Sequence, residues 1–159
     1  NGFSTLRFNF RGVGKSDGIF DDGEGELSDA ASVLDWLQQY NTNSKICWVA
    51  GFSFGAWVAM QLLMRRPEIN GFISVSPPAN LRDFTFLAPC PSSGLIIHGD
   101  KDNIASFDSA KILAEKLQKQ KKFDIKFKSI KGADHFYENY SDDFTSIIDS
   151  YVKNNLQTN

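Results

Sequence analysis

The sequence predicts an α/β fold, a three-layer sandwich with helices on both faces of a mostly parallel sheet. Strand-like and helix-like patterns alternate from one end of the chain to the other. Several strand-like stretches are short apolar runs, which is typical of strands buried on both faces of a parallel sheet. A length of 159 residues fits one domain. We therefore expect a single domain over residues 1–159, without a lid domain.

Five strands are predicted along the chain. Residues 5–10 alternate apolar and polar side chains, whereas residues 46–50, 71–75 and 94–97 are mainly apolar. Residues 123–130 alternate again. Parallel strands cannot be joined by tight turns, so a crossover has to link each pair.

Helical spacing of apolar residues fills three of the four connections and follows the last strand. These helical patterns lie at residues 27–37, 56–63, 110–117 and 144–151. The remaining connection, residues 76–93, is irregular and rich in proline, and it is too short to form a lid domain. We expect it to pack mainly onto the core, with the lining of an acyl pocket as the alternative.

Composition excludes several classes of protein. Seventeen basic residues against nineteen acidic ones give a net charge of −2, without the basic excess expected for binding nucleic acid or an anionic membrane surface. Two cysteines and two histidines are too few for a disulfide framework or a thiolate zinc site, so neither metal nor cofactor is expected. No apolar run is long enough to span a membrane and no signal peptide opens the chain, which predicts a cytoplasmic location.

Residues 51–55, Gly-Phe-Ser-Phe-Gly, match the G-x-S-x-G nucleophile elbow. The motif follows a predicted strand and precedes a predicted helix, which is the context that the elbow requires. A tight turn would project the Ser53 hydroxyl above the sheet, and the flanking glycines would let backbone pass closely. The backbone amide of Phe54 would point towards a developing oxyanion. The motif therefore predicts a nucleophilic serine.

A serine nucleophile needs a base, and the base needs an acid that orients it. His135 lies after the last predicted strand, and Asp102 lies after the strand before it. The chain order Ser53, Asp102, His135 is the order of α/β-hydrolase triads. All three residues follow strands, at the sheet edge where sites form in parallel α/β proteins. We expect these three side chains to be catalytic.

Three other residues with suitable side chains lie near these positions. Asp100 directly follows its strand and could be the acid instead, although Asp102 is favoured because two further residues let its carboxylate curl back towards His135. His98 is interpreted as a histidine of the core or of a turn at a strand end. Asp134 would point away from its neighbour His135.

Four segments together resemble the α/β-hydrolase superfamily, and more narrowly its small bacterial members without a cap. They are residues 8–18, which contain Arg-Gly-x-Gly-x-Ser, and residues 51–55, 99–102 and 132–135. The resemblance implies a serine hydrolase that acts on a small-molecule ester or related acyl compound without a cofactor. It also implies a mainly structural role for Arg11, whose guanidinium would hold its loop through carbonyls or a carboxylate.

The sequence departs from this family at two places. The family usually carries three more strands before residues 8–10, with the second oxyanion amide in the loop after the third of them. We expect a piece of a longer protein, in which the first strand either loses its neighbour or pairs elsewhere. Residues 103–106, Asn-Ile-Ala-Ser, replace the Val-Pro step that commonly follows the triad acid. An unproductive binding or scaffold protein with this fold is the alternative function.

Three weaker signals remain. Gly14, Lys15 and Ser16 imitate the end of a phosphate-binding loop, but Asn9 stands where its first glycine should be, so a nucleotide-using enzyme is disfavoured. Phe52, Phe54 and Trp57 beside the elbow could line an apolar pocket wall or pack internally. The acidic stretch at residues 21–26 is interpreted as a solvated loop.

Overall fold

The computed structural model describes residues 2–156, which form four strands and four α-helices. Their order is α1 (Glu24–Tyr40), β1 (Trp48–Phe52), α2 (Phe54–Arg65), β2 (Gly71–Val75), β3 (Gly94–Gly99), α3 (Phe107–Gln118), β4 (Ile125–Ile130) and α4 (Ser141–Leu156). One 3-10 turn, Thr85–Leu87, lies between β2 and β3. Strands and helices alternate as the apolar patterns predicted.

The four strands form one fully parallel sheet in the order β1-β2-β3-β4. Their starts are in register, since Trp48 pairs with Gly71, Phe72 with Gly94, and Gly94 with Ile125. The carboxyl ends of the strands therefore meet at one edge of the sheet, where the loops that follow them lie close together.

Helices cover both faces of the sheet. Phe72 and Ile96 point to one face, where they pack against buried residues of α1, α2 and α3. Ile73 and Leu95 point to the opposite face and join a second cluster with Tyr151 of α4. This arrangement confirms the three-layer α/β class.

The predicted strand at residues 5–10 is wrong, since these residues take no regular structure. A strand is stable only when its backbone groups pair with a neighbour, and β1 pairs with β2 alone among the described strands. The apolar alternation instead points Phe10 towards the core, where its ring lies 5.9 Å from that of Phe54. Leu6 and Phe8 line a groove of about 130 Å³ against α1, β1 and α2.

Arg11 anchors the loop before α1 to a carboxylate. Its backbone amide donates to Asp29 Oδ2 over 3.0 Å, and its guanidinium donates to Asp29 Oδ1 over 2.7 Å. The hydrogen bond from Arg11 lowers the pKa of Asp29 against the opposing effect of burial. Of the two kinds of partner that the resemblance implied for Arg11, the structure contains the carboxylate.

The interpretation of residues 21–26 as a solvated acidic loop is wrong for Glu26, which is fully buried. Its carboxylate accepts hydrogen bonds from the amides of Asp21 and Gly23, over 2.9 and 2.8 Å. These amides precede α1, where backbone donors have no intrahelical partner. Asp22 is exposed to solvent, as expected for a residue of a solvated loop.

The irregular connection between β2 and β3 packs onto the core. Phe84, Leu87 and Cys90 are buried in the same cluster as Phe72. This matches the expected packing. Across residues 2–156, no helix combines the length and the apolar character needed to cross a membrane.

Candidate active site

Ser53 occupies a one-residue turn between β1, which ends at Phe52, and α2, which begins at Phe54. Its backbone has φ 51°, a region that residues other than glycine rarely adopt. The Ser53 amide donates to the carbonyl of Val75 over 2.8 Å, which holds the turn against the end of β2. The strand, turn and helix expected around residues 51–55 are therefore present.

The two glycines of the motif differ in their surroundings. A Cβ atom at Gly51 would overlap the carbonyl group of Gly55, so the first turn of α2 lies against bare backbone. Apart from the backbone of its own helix, the nearest atom that a Cβ at Gly55 would meet belongs to the Phe10 ring, at 4.0 Å. The expected close approach of backbone therefore depends on Gly51, and Gly55 has room for a methyl group.

The loops after β3 and β4 bring Asp102 and His135 to the same edge of the sheet. His135 Nδ1 lies 2.7 Å from Asp102 Oδ2, and His135 Nε2 lies 3.0 Å from Ser53 Oγ. Both distances are those of good hydrogen bonds. The structure thus brings these three side chains together, although Asp102 lies 49 positions after Ser53 in the chain and His135 lies 33 positions after Asp102.

Asp102 is held as a buried acceptor. Its side chain is 0% exposed, and its Oδ1 accepts hydrogen bonds from the amides of Ile104 and Ala105, over 2.9 and 2.8 Å. Burial opposes ionisation, but the hydrogen bonds from His135 and from these two amides hold the pKa of Asp102 below its usual value. The carboxylate is therefore charged and rigid beside the imidazole.

Asp100, the competing acid, faces elsewhere. Its Oδ1 accepts a hydrogen bond of 2.6 Å from the amide of Gly132, at the start of the loop that leads to His135. Asp134 likewise serves its own turn, where its carboxylate accepts the amide of Phe136. The carboxylate that is hydrogen-bonded to the His135 imidazole therefore belongs to neither Asp100 nor Asp134.

His98 is a fully buried histidine at the end of β3, as the core interpretation required. Its Nδ1 lies 3.0 Å from the carbonyl of Gly99, so this nitrogen carries the proton. Its Nε2 has no hydrogen-bond partner among the described residues and lies 3.9 Å from Asp102 Oδ2, beyond hydrogen-bond distance. Burial lowers the pKa of His98, which favours the neutral form.

The amide of Phe54 is available beside Ser53. As the first residue of α2 it has no intrahelical acceptor, and it donates no other hydrogen bond within residues 2–156. The positive end of the helix dipole lies at the same place, which favours an oxyanion there. An unpartnered amide next to the hydroxyl is the arrangement that an oxyanion hole uses.

The aromatic residues around the elbow divide into two sets. Phe52 is exposed, with its ring 4.9 Å from that of His135, whereas Phe54 and Trp57 are half-buried and pack against each other. Phe136, which no sequence motif indicated, is 63% exposed with its ring 5.2 Å from that of His135. Its position directly after the histidine was the available signal.

The segment that imitates a phosphate-binding loop lacks the required context. Gly14, Lys15 and Ser16 lie in a turn, and α1 begins eight residues after Ser16. The Ser16 hydroxyl donates to the carbonyl of Asn9 over 3.0 Å. A phosphate-binding loop opens directly into a helix whose amides hold the phosphate, and this turn does not.

The chain is similar to a known protein family and to a protein of known sequence. Residues 1–153 match the family model described as X-Pro dipeptidyl-peptidase (S15 family). An uncharacterized protein of Rickettsia prowazekii is 52% identical over 156 residues. The match covers 96% of this chain and 66% of that protein, so the chain spans slightly less than two thirds of its relative.

Solved structures agree closely with the fold. A candidate α/β hydrolase of unknown function from Agrobacterium tumefaciens is 55% identical, with a TM-score of 0.95 over 98% of this chain and 72% of that one. An α/β serine hydrolase without a lid from Xanthomonas campestris is 32% identical, with a TM-score of 0.83 over 93% and 65%. A serine hydrolase homologue from Coxiella burnetii is 33% identical, with a TM-score of 0.76 over 89% and 65%.

Proposed function

This chain belongs to the X-Pro dipeptidyl-peptidase (S15) family within the α/β-hydrolase superfamily, and we propose that it is a serine hydrolase of esters or related acyl compounds. The observation that carries the proposal is the hydrogen-bonded series from Asp102 through His135 to Ser53. A buried charged acceptor, an imidazole and a hydroxyl in this order are what nucleophilic acyl transfer needs.

In the proposed reaction, Ser53 Oγ attacks the substrate carbonyl while His135 Nε2 takes the hydroxyl proton. Asp102 fixes the tautomer with the proton on Nδ1 and stabilises the imidazolium that forms. The Phe54 amide donates to the oxyanion of the tetrahedral intermediate. His135 then gives its proton to the leaving group, and water releases the acyl group from Ser53 by the same steps.

Esters and X-Pro peptides are the two substrate classes to separate. The family description names a peptidase, whereas the exposed Phe52 and Phe136 beside His135 support an apolar ester. Side-by-side hydrolysis of p-nitrophenyl acetate and alanyl-prolyl-p-nitroanilide measures the preference. We expect faster turnover of the ester, and we place the enzyme in the cytoplasm, with a small-molecule acyl substrate.

A fluorophosphonate probe tests the nucleophile directly, because it reacts with an activated serine and needs no knowledge of the substrate. We expect mass spectrometry of the labelled protein to locate the adduct on Ser53. The Ser53→Ala variant should lose labelling and lower kcat by roughly 10⁶-fold. Ser92→Ala is the control, since Ser92 is buried and its hydroxyl donates to the carbonyl of Ser93, away from the imidazole.

Absence of labelling on Ser53 in the folded wild-type protein would contradict the proposal. It would favour the alternative of a binding or scaffold protein with a hydrolase fold. Retention of the protein's cellular role by Ser53→Ala would point the same way.

A further inference from the structure

Two exposed phenyl rings flank the imidazole of His135 on the surface of the protein. Phe52 is 42% exposed and Phe136 is 63% exposed, whereas His135 between them is 3% exposed. The rings of Phe52 and Phe136 lie 4.9 and 5.2 Å from the imidazole and 6.2 Å from each other. We define these two residues as the phenyl pair.

The phenyl pair is attached to both reacting residues of the proposed mechanism. Phe52 is the last residue of β1 and precedes Ser53, while Phe136 follows His135 in the loop after β4. Two large apolar side chains that remain exposed together beside the candidate reaction centre mark a surface for a ligand. Each ring keeps a large share of its surface in contact with solvent, which a bound apolar group could cover.

The direction of proton transfer decides which part of an ester would meet the phenyl pair. His135 Nε2 accepts the Ser53 proton and must return it to the oxygen of the departing alcohol. That oxygen therefore has to come within hydrogen-bond reach of Nε2, and the carbon attached to it lies beside the imidazole. Both phenyl rings are in contact distance of the same imidazole.

We propose that Phe52 and Phe136 bind the alcohol part of the substrate, and that this enzyme prefers esters of aryl-bearing alcohols. This inference rests on the proposed function and adds a substrate class to it. The substrate ring would pack against Phe136 in an edge-to-face or offset arrangement and remove both rings from water. Specificity for the alcohol would then be separate from specificity for the acyl group.

Benzyl acetate and ethyl acetate test the proposal, because they share the acyl group and release alcohols of similar basicity. Acid release in a pH-stat gives kcat/KM for each ester. We expect the wild-type protein to prefer benzyl acetate, and Phe136→Ser to lower the ratio of the two kcat/KM values by about tenfold. Phe136→Tyr, which keeps the aromatic ring, should keep the preference for benzyl acetate.

Ile112→Ser is the matched control, since Ile112 is exposed to a similar degree on α3. It should leave the benzyl-to-ethyl ratio unchanged. Equal use of both esters by the wild-type protein would overturn the inference and leave the serine hydrolase intact. An equal fall of both kcat/KM values in Phe136→Ser would overturn it too, because that result describes a structural role. Hydrolysis of neither ester, with no labelling of Ser53, would overturn both proposals.

Discussion

The hydroxyl groups of Tyr137 and Ser76 lie 2.8 Å apart in the interior, below the loop that carries His135. The Tyr137 hydroxyl also donates to the carbonyl of Ile97 over 3.3 Å. Tyr137 is two residues after His135, while Ser76 directly follows β2. One side chain therefore ties the histidine loop to the ends of two strands. Burial raises the pKa of Tyr137 to about 12, so its hydroxyl keeps its proton in neutral solution.

Replacing Tyr137 with phenylalanine should loosen this connection. The hydroxyl of Ser76 loses a buried partner, and we expect the free energy of unfolding to fall by about 1–3 kcal/mol. Urea denaturation followed by fluorescence measures the change. Tyr40→Phe is the control, because Tyr40 is 70% exposed on α1 and its hydroxyl should not affect stability. Equal stability of the two variants would argue against the anchoring role.

The choice between Asp100 and Asp102 can be decided by a pair of variants. Asp102→Asn removes the charge that orients His135, so we expect kcat to fall by roughly 10⁴-fold. Asp100→Asn changes a carboxylate that accepts the amide of Gly132, and we expect a far smaller loss. Steady-state kinetics on p-nitrophenyl acetate compares them. A larger loss in Asp100→Asn would assign the acid role to Asp100.

The two glycines of the elbow should respond differently to the same substitution. Gly51→Ala places a methyl group against the carbonyl of Gly55, so we expect displacement of α2 and loss of fluorophosphonate labelling at Ser53. Gly55→Ala has space, and alanine also favours helix, so its stability should equal or exceed that of the wild type. Thermal unfolding and labelling measure both effects. Equal damage in the two variants would contradict the observed packing.

Acid should destabilise the protein partly through Glu26. Burial opposes its ionisation, but the amides of Asp21 and Gly23 hold the pKa of Glu26 below its usual value. A lowered pKa in the folded state stabilises the protein above the unfolded value of about 4.3, and this contribution is lost as the pH falls through the folded pKa.

Glu26→Gln tests this contribution. We expect the variant to be less stable than the wild type at pH 7, with the difference narrowing as the pH falls below about 4. Chemical denaturation at a series of pH values measures it. Glu24→Gln is the control, since Glu24 is exposed in the same turn of α1. A difference that stays constant with pH would exclude ionisation of Glu26 as the cause.

Local sequence patterns were enough to predict the α/β class and most of the elements. Apolar runs with helical spacing between them require a parallel sheet covered by helices, and the predicted strand at residues 71–75 coincides with β2. The other strands shift by a few residues at their ends, because apolar runs do not mark where hydrogen bonding stops. The motif at residues 51–55 likewise specified its own strand, turn and helix.

Residues 5–10 show why the same reasoning failed at the start of the chain. Apolar alternation predicts a strand, but a strand exists only when another strand pairs with its backbone. The interpretation of Glu26 as solvated was wrong for a related reason. Its burial depends on hydrogen bonds from two amides that the fold brings to its carboxylate, and not on the charge of its neighbours in the sequence. The apolar pattern of a segment predicts which structures it can form, and its contacts in the folded protein determine which of them it adopts.

The sequence by itself determined the fold class, the elbow around Ser53 and the chain order of three candidate residues. The tertiary structure alone decided that Asp102, and not Asp100, hydrogen-bonds His135, and that Phe136 stays exposed beside it. The physical reason is that these residues lie in loops after different strands and come within a few ångströms of one another only in the folded protein. Their spacing along the chain does not determine those distances. Those distances are set by the register of β3 and β4 and by the turns that follow them.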